Sequence, residues 1–415
     1  MNPVTYEEYW FQRRGFLEDV GYRLRPKFHP DFVANELPGL SAHALREYEA
    51  THTVRHRTIM DARRVSDGIQ VMLKSISTSI HPHEVEIAGL LSSPPHLNNP
   101  RNHSIPILEV LRDPFDTDKQ LIVMPLCVRF DEPRFDTVGE VVDCIRQIFE
   151  AIILLLLFLP RLTVVQGIEY MHDNFIAHRD CGFLNIVQDP QDIYPDGFHP
   201  VHPRKEPSYE WSARTITRTE CWPRFYLIDF GLSRRYDPAN GPPLEDVILG
   251  GDKSPPEHYN TACNPFPTDI YFLGNLLKAR FLYVLPRFHA AWVNNFLMTS
   301  SKILTHLKAP ILHPPLRFLL PLIDDMTLKD PALRPTIGEV IHRFDDLCSG
   351  LGEWHLRQPG VRIPWDDKLR QRFRQVKRLL KRVHPLPPYI PRSDRVPLSD
   401  EMRAFFTRDQ SIPPV

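Results

Sequence analysis

Paired cysteines are the first feature that this sequence lacks. Its six cysteines are scattered along the chain, with no Cys-x-x-Cys pair and no spacing typical of a metal site. Isolated, reduced thiols are typical of the cytoplasm or the nucleus, and we expect the protein in one of those compartments. The amino-terminal residues are acidic and aromatic, whereas a secretory signal needs a basic start and an apolar run, so we do not expect secretion.

An excess of charge and a long apolar run are also missing. Lys and Arg number 50 and Asp and Glu number 51, giving a net charge of −1. No global field therefore favours nucleic acid or an anionic membrane, and we expect neither as a partner. The most apolar run, residues 151–160, has about half of the roughly 20 residues that a membrane-spanning helix needs, so we expect a buried helix there.

The order of patterns along the chain predicts the fold class. Strand patterns and one short helix fill residues 51–127, whereas apolar residues at helical spacing dominate residues 128–348. This order predicts an α+β fold, with a small β-rich unit followed by a larger, mainly helical unit. We expect residues 1–50 to form an extension that packs onto this core, and residues 349–415 to form a Pro-rich basic tail.

Individual elements are predicted from periodicity and turn residues. In the β-rich unit these are a hairpin of strands 58–62 and 69–74, a helix over 83–91, and strands over 105–110 and 121–126. In the remainder they are helices over 138–150, 269–282, 317–326 and 338–347, and a basic amphipathic stretch over 368–383.

Two short motifs carry the chemistry. His178-Arg179-Asp180, with Asn185 five residues after the aspartate, fits HRDxxxxN, and Asp229-Phe230-Gly231 directly follows an apolar strand pattern. Phosphoryl transfer needs a carboxylate for the acceptor hydroxyl, hard oxygen ligands for Mg²⁺ and a lysine for the phosphates. Either motif alone arises readily by chance, but both in this order predict a phosphotransfer site.

With these motifs the chain resembles the eukaryotic protein-kinase superfamily over residues 52–348, and more narrowly the divergent fungal kinase-like proteins. Three more motifs follow in family order. Ser254-Pro255-Pro256-Glu257 stands in place of Ala-Pro-Glu, Asp269 begins a DxxxLG helix that would anchor the catalytic loop, and Arg334 matches the arginine that pairs with Glu257. The resemblance implies a bilobal protein-kinase fold.

The resemblance also implies a role for each residue of the catalytic loop and metal site. Asp180 would accept or orient the proton of the substrate hydroxyl, and Asn185 and Asp229 would hold Mg²⁺. Arg179 would bind a phosphate on the segment after Asp229. Because that segment has few hydroxyl groups, the acidic pair Glu245-Asp246 is the alternative partner for Arg179.

For the nucleotide, the resemblance implies that Lys74 binds the α- and β-phosphates of ATP. Glu84 would pair with Lys74, because apolar residues follow it at helical spacing, and Glu86 is the alternative. The gatekeeper and the adenine-binding hinge would be formed by Met124, Leu126 and Cys127.

Several positions depart from the family pattern. Residues 51–59, which match the glycine-rich loop before Lys74, contain no glycine, so backbone N–H groups would approach the phosphates less closely. Gly182 replaces a lysine that contacts the γ-phosphate in Ser/Thr kinases, and Met72 replaces a small residue above the adenine. The predicted site therefore has the catalytic carboxylate and the metal ligands of the family pattern, but fewer of the groups that hold the nucleotide.

Two long segments interrupt the family pattern. Residues 187–223 are rich in proline and predict a surface insert, which with the tail 349–415 is a candidate docking site for a protein partner. Residues 151–166 separate two helical patterns that would otherwise be continuous. Our hypothesis is that they are an unspliced intron, and the alternative is a genuine loop or apolar bulge.

Three functions remain open from the sequence. The first is ATP- and Mg²⁺-dependent phosphotransfer to a protein hydroxyl, with Ser/Thr favoured over Tyr. The second is a pseudokinase that acts as a scaffold with weak or no turnover. The third is a small-molecule phosphotransferase, which the motifs around Glu257, Asp269 and Arg334 disfavour.

Overall fold

An antiparallel sheet of five strands lies in the amino-terminal part of the fold. The strands are β1 (Tyr22–Leu24), β2 (Ile59–Arg64), β3 (Gln70–Ser77), β4 (Glu109–Arg112) and β5 (Lys119–Pro125). Their order is β1–β2–β3–β5–β4, so the predicted hairpin β2–β3 lies inside the sheet. The computed structural model describes residues 6–29, 58–149, 151–152, 164–165, 167–208, 211–246, 248, 253–259, 262–284, 311–361 and 368–387.

The strand predicted at 105–110 is displaced. Strand β4 begins at Glu109, because the residues before it pair with a different part of the chain. Ile105 N donates to Leu227 O at 2.9 Å, and Leu227 N donates to His103 O at 2.7 Å. Residues 103–105 therefore join the sheet to the helical part of the fold.

The extension contributes a helix that the sequence patterns do not predict. Helix α1 (Tyr6–Asp19) buries Trp10 and Leu17 against the sheet residues Val71 and Leu73. Arg13 lies between them on the same buried face, where its Nε contacts Asp113 Oδ2 at 2.7 Å. A charged residue at the centre of the buried face obscures the apolar periodicity.

Ten helices occur among the described residues, and they confirm the predicted mixture of α and β structure. The helix predicted from residue 269 begins earlier, at Pro265, because Asn264 Oδ1 accepts a hydrogen bond from Phe266 N at 3.1 Å. None of the described helices has the length and apolar character needed to cross a membrane. After α1, the helices are α2 (Glu84–Leu91), α3 (Val138–Phe149), α4 (Ile168–Asp173), α5 (Arg218–Cys221), α6 (Pro265–Leu277), α7 (Leu320–Met326), α8 (Ile337–Ser349), α9 (Glu353–Leu356) and α10 (Lys368–Leu380).

The segment 187–223 is in part a folded element, and the expectation of a surface insert is wrong for that part. Ile193, Tyr194 and Phe198 are buried in a cluster with the predicted hinge residue Leu126. Arg218 on α5 is also buried, and it donates to Gln188 Oε1 at 2.9 Å and to Phe130 O at 2.8 Å. The segment thus packs against the chain that follows β5.

The two ends of the apolar segment 151–166 meet. Ala151–Ile152 pairs antiparallel with Val164–Val165, so the expected helix is wrong for the first two residues, and residues 153–163 lie outside the described part. Gly167 then has a φ of +67°, and a Cβ there would lie 2.4 Å from Ile148 O. Only glycine fits this close approach, which lets α4 begin directly beside the end of α3.

Removing residues 151–166 is expected to leave the fold intact and to keep or raise the midpoint of thermal unfolding. The flanking helices already meet at Gly167, and a shorter loop costs less closure entropy. Circular dichroism melts of the two proteins would measure the effect. Removing residues 190–205, a deletion of the same length, should lower the midpoint because Ile193 and Phe198 are buried.

A midpoint lower in the 151–166 deletion than in the full chain would show that the segment makes stabilising contacts, and would argue for a genuine loop. Transcript reads that pass directly from Glu150 to Gly167 would establish the intron independently.

Candidate active site

Lys74 lies at the centre of the predicted site. It is on β3, and its Nζ contacts Glu84 Oε1 on α2 and lies 2.9 Å from Asp229 Oδ1. Three segments far apart in the sequence therefore converge on one ammonium group. The side chains of Lys74 and Glu84 are largely buried, whereas that of Asp229 is 46% exposed and open to a ligand.

The geometry distinguishes between the two candidate helix carboxylates. Glu84 is buried and contacts Lys74, whereas Glu86 is exposed and lies 3.5 Å from Nδ1 of His83, the residue before α2. Glu84 has this position because Ile87, Ala88 and Leu91 bury the same face of α2 in the core.

The opposite charges of Lys74 and Asp229 stabilise each other. Burial disfavours the charged form of Lys74, but the carboxylates of Asp229 and Glu84 outweigh this effect and raise the pKa of the ammonium. Burial likewise opposes ionisation of Asp229, but the neighbouring Lys74 outweighs it and lowers the pKa of that carboxyl. The pair Lys74–Asp229 is therefore charged at neutral pH.

Asp229 is held in an unusual backbone conformation. Its φ is +67°, and its Oδ1 accepts a hydrogen bond from Gly231 N at 3.3 Å. A Cβ at Gly231 would lie 3.1 Å from both Glu84 Oε2 and His81 Nδ1, so a larger residue would push against the cluster. His81, which the sequence motifs do not identify, also lies with Nδ1 2.9 Å from Gly231 O.

Asn185 contacts Asp180 at the predicted metal-binding end of the site. Its Nδ2 donates to Asp180 O at 2.8 Å and to Asp180 Oδ2 at 2.9 Å. Its backbone O accepts from Ile228 N at 3.0 Å, because β6 (Ile186–Gln188) and β7 (Phe225–Leu227) pair directly beside it. The pairing places Asn185 and Asp229 at the same end of two neighbouring strands.

Asp269 holds the backbone that carries Asp180. Its Oδ2 accepts from His178 N at 2.8 Å, and its Oδ1 accepts from Arg179 N at 2.7 Å. His172 Nε2 lies 3.0 Å from the same carboxylate, which is completely buried at the start of α6. Arg179 has a φ of +66°, so these contacts fix a turn that would otherwise be unfavourable.

Arg179 contacts the acidic pair Glu245-Asp246. Its Nη1 lies 3.0 Å from Glu245 Oε2, and its Nη2 donates to Asp246 O at 3.1 Å. Its Nη1 also donates to Leu232 O at 3.4 Å, just after Gly231. A carboxylate thus occupies the place on Arg179 that the resemblance assigns to a phosphate.

A second buried ion pair closes the segment after Asp229. Arg334 binds Glu257 through two parallel contacts of 2.6 and 2.7 Å, and Thr268 Oγ1 donates to the same carboxylate at 2.8 Å. Burial opposes ionisation of Glu257, but the hydrogen bonds from Arg334 and Thr268 outweigh it and lower the pKa of the carboxyl. Because the two contacts are parallel, they fix the orientation of the guanidinium relative to the carboxylate.

The predicted adenine side of the site carries unexpected charges. Asp61 pairs with Met72 across β2 and β3, and Met72 pairs with Met124 on β5, so these residues share one face of the sheet. Asp61 is 4% exposed and lies 3.0 Å from Arg25 Nε. Neither residue was a predicted site residue, because their proximity depends on the pairing of β1 with β2.

Most of the stretch that matches the glycine-rich loop, residues 51–57, lies outside the described part of the chain, so the expectation for this loop stays a prediction. The strand that follows it, β2, begins at Ile59 and pairs with β1 on one side and β3 on the other.

The side chains of Asn185 and Asp229 have the kind of ligand atoms that a magnesium ion prefers. Both offer hard oxygen atoms, and because Asn185 Nδ2 is committed to Asp180, its Oδ1 remains as the ligand atom. In the part of the chain that the structure describes, no group of three or more His, Cys, Asp or Glu side chains could hold a metal. Two protein ligands suffice for Mg²⁺ when substrate phosphates supply others.

Of the predicted site residues, Lys74, Glu84 and Asp229 are in direct contact, and Asn185 contacts Asp180. Met124 lies on β5, the strand that pairs with β3, and Leu126 and Cys127 follow the end of β5. No protein-family model matches this chain, and no curated protein matches it.

Proposed function

We propose that the protein transfers a phosphoryl group from ATP to a protein hydroxyl in the presence of Mg²⁺, with serine or threonine favoured as the acceptor. The observation that carries this proposal is the convergence of Glu84 and Asp229 on Lys74. On this proposal the sheet and α2 form the small lobe of a bilobal protein-kinase fold, and residues 128–348 form the large lobe.

Each residue then has a defined task. Lys74 binds the α- and β-phosphates of the nucleotide, and Glu84 keeps its ammonium in position. Asp180 orients the acceptor hydroxyl and takes its proton, while Asn185 holds the Asp180 carboxylate through Nδ2. Asn185 Oδ1 and Asp229 would hold Mg²⁺, which neutralises charge on the phosphates when it is bound.

Two observations favour a second candidate, a pseudokinase scaffold. The face of the sheet beside Met72 carries the buried pair Arg25–Asp61, where an adenine ring would require apolar contacts. The cluster of Leu126, Ile193 and Phe198 also packs beside Met72. A protein of this kind would bind nucleotide weakly or not at all.

Two measurements separate these candidates. A thermal shift with Mg²⁺ and ATP should raise the unfolding midpoint if the nucleotide binds, and the shift should be absent for a scaffold that binds no nucleotide. Radiolabel transfer from ATP to a generic protein substrate should be lost in Asp180→Ala. Transfer that continues undiminished in this variant would contradict the role of Asp180, and a thermal shift without any transfer would favour the scaffold.

A further inference from the structure

Helix α10 in the tail packs against the protein through its polar side. Gln371 and Arg378 are each 4% exposed. Gln371 Nε2 donates to Asp136 O at 2.7 Å, and Arg378 Nη2 donates to Asp136 Oδ2 at 2.9 Å. Gln375 Nε2 donates to Arg357 O at 2.8 Å from the same side. These contacts fix which side of the helix faces outward.

The outward side is apolar. Phe373, Val376 and Leu380 are 83%, 54% and 81% exposed, and we call these three residues the outer stripe. Their spacing of three and four residues places them in one row on the helix, on the side opposite Arg378. A docked helix usually buries its apolar side, because removing apolar area from water is favourable. The reversed orientation leaves the outer stripe for another molecule.

The charges beside the outer stripe restrict what that molecule can be. The helix contains no acidic residue, and Arg372, Lys377 and the following Lys381 are exposed. An occupant with acidic residues beside its apolar row would complement these charges. A second copy of α10 would instead oppose basic residues to basic residues, which disfavours self-association.

The spacing of the outer stripe matches a helical partner. Positions 373, 376 and 380 follow the two-in-seven spacing of a helix–helix seam, and the half-exposed Leu379 adjoins them on one side. At the edge of the stripe, Leu379 and the 75%-exposed Trp354 line one cavity of about 140 Å³. An exposed tryptophan beside a pocket is typical of a protein-binding surface.

We propose that the outer stripe binds an acidic amphipathic helix of a partner protein. This interaction surface is separate from the Lys74 site and does not depend on phosphotransfer. The partner helix would place its apolar row against Phe373, Val376 and Leu380 and its carboxylates near Arg372 and Lys377.

Fluorescence anisotropy with a synthetic helical peptide tests the proposal on the full chain. The peptide carries leucine at two of every seven positions with glutamate beside them, and a matched peptide carries lysine instead of glutamate. Phe373→Ser and Leu380→Ser should each weaken binding of the glutamate peptide by about ten-fold or more. Ile80→Ser removes a 69%-exposed apolar side chain elsewhere and should change nothing.

Reversing one charge beside the outer stripe tests whether the partner must be acidic. Lys377→Glu should weaken binding of the glutamate peptide and strengthen binding of the lysine peptide. Because Phe373, Lys377 and Leu380 are exposed, their substitution should leave the unfolding midpoint unchanged.

Four outcomes would overturn the proposal. The first is that the wild type does not bind the glutamate peptide, or that Phe373→Ser binds this peptide as tightly as the wild type. The second is Phe373-dependent binding to phosphatidylserine vesicles without peptide binding, which would assign the stripe to a membrane. The third is a dimer in sedimentation that Phe373→Ser dissociates. The fourth is peptide binding only after removal of residues 388–415, which would make this chain's own terminus the occupant.

Discussion

Asp229→Asn is expected to lower phosphotransfer by about a thousand-fold and to abolish the Mg²⁺-dependent part of ATP binding. The substitution keeps the shape of the side chain but removes its charge. Lys74 then loses one of its two carboxylate partners, and the proposed Mg²⁺ site keeps only neutral amide oxygens. Transfer rates with radiolabelled ATP and calorimetric titrations with and without Mg²⁺ would measure both effects.

The fold should survive this change, because the Asp229 side chain is 46% exposed and Lys74 retains Glu84. Asp237→Asn is the matched control, since Asp237 is exposed and caps a short turn that asparagine also caps. Equal transfer by the wild type and Asp229→Asn would contradict the proposed role of Asp229 as a metal ligand. Transfer lost in both variants would point to a general effect of charge on this segment.

The candidate site residues that the sequence could predict are those that a short stretch of the chain is enough to identify. Asp180 and Asn185 lie five residues apart in one loop, and Asp229 follows a strand directly, so a motif captures them. Glu84 could be chosen over Glu86 because helical periodicity shows which side of a helix is buried. In these cases the number of residues between two positions determines how far apart, or on which side of a helix, their side chains lie.

The features that escaped prediction depend on pairings between distant segments. Strand β1 lies beside β2 although more than thirty residues separate them, and this pairing alone brings Arg25 to Asp61. Helix α1 was missed because Arg13 occupies its buried face, and its partner Asp113 is a hundred residues away. Periodicity within a short window cannot reveal a buried charge whose partner lies elsewhere.

Asp269→Ala is expected to lower the free energy of unfolding by about 3 kcal/mol, the largest effect on stability that we predict. The change leaves the backbone N–H groups of His178 and Arg179 without their acceptor in a completely buried position. Asp269→Asn keeps one carbonyl oxygen, which can accept only part of these bonds, so its loss of stability should be smaller. Urea unfolding would measure both variants against the wild type.

Hydrogen exchange of individual amides can distinguish the loss of an anchor for the loop from a general loss of packing. If Asp269 anchors the loop, the amide hydrogens of His178 and Arg179 should exchange faster in Asp269→Ala than the amides of α8, which lies elsewhere in the core. Asp346→Ala, at a 69%-exposed carboxylate that contacts the exposed His342, should stay within about 0.5 kcal/mol of the wild type. Unchanged exchange at residues 178 and 179 would mean that other contacts hold the loop. Phosphotransfer should fall with the loss of the anchor, because Asp180 is part of the same turn and its carboxylate must be positioned to act on the substrate hydroxyl.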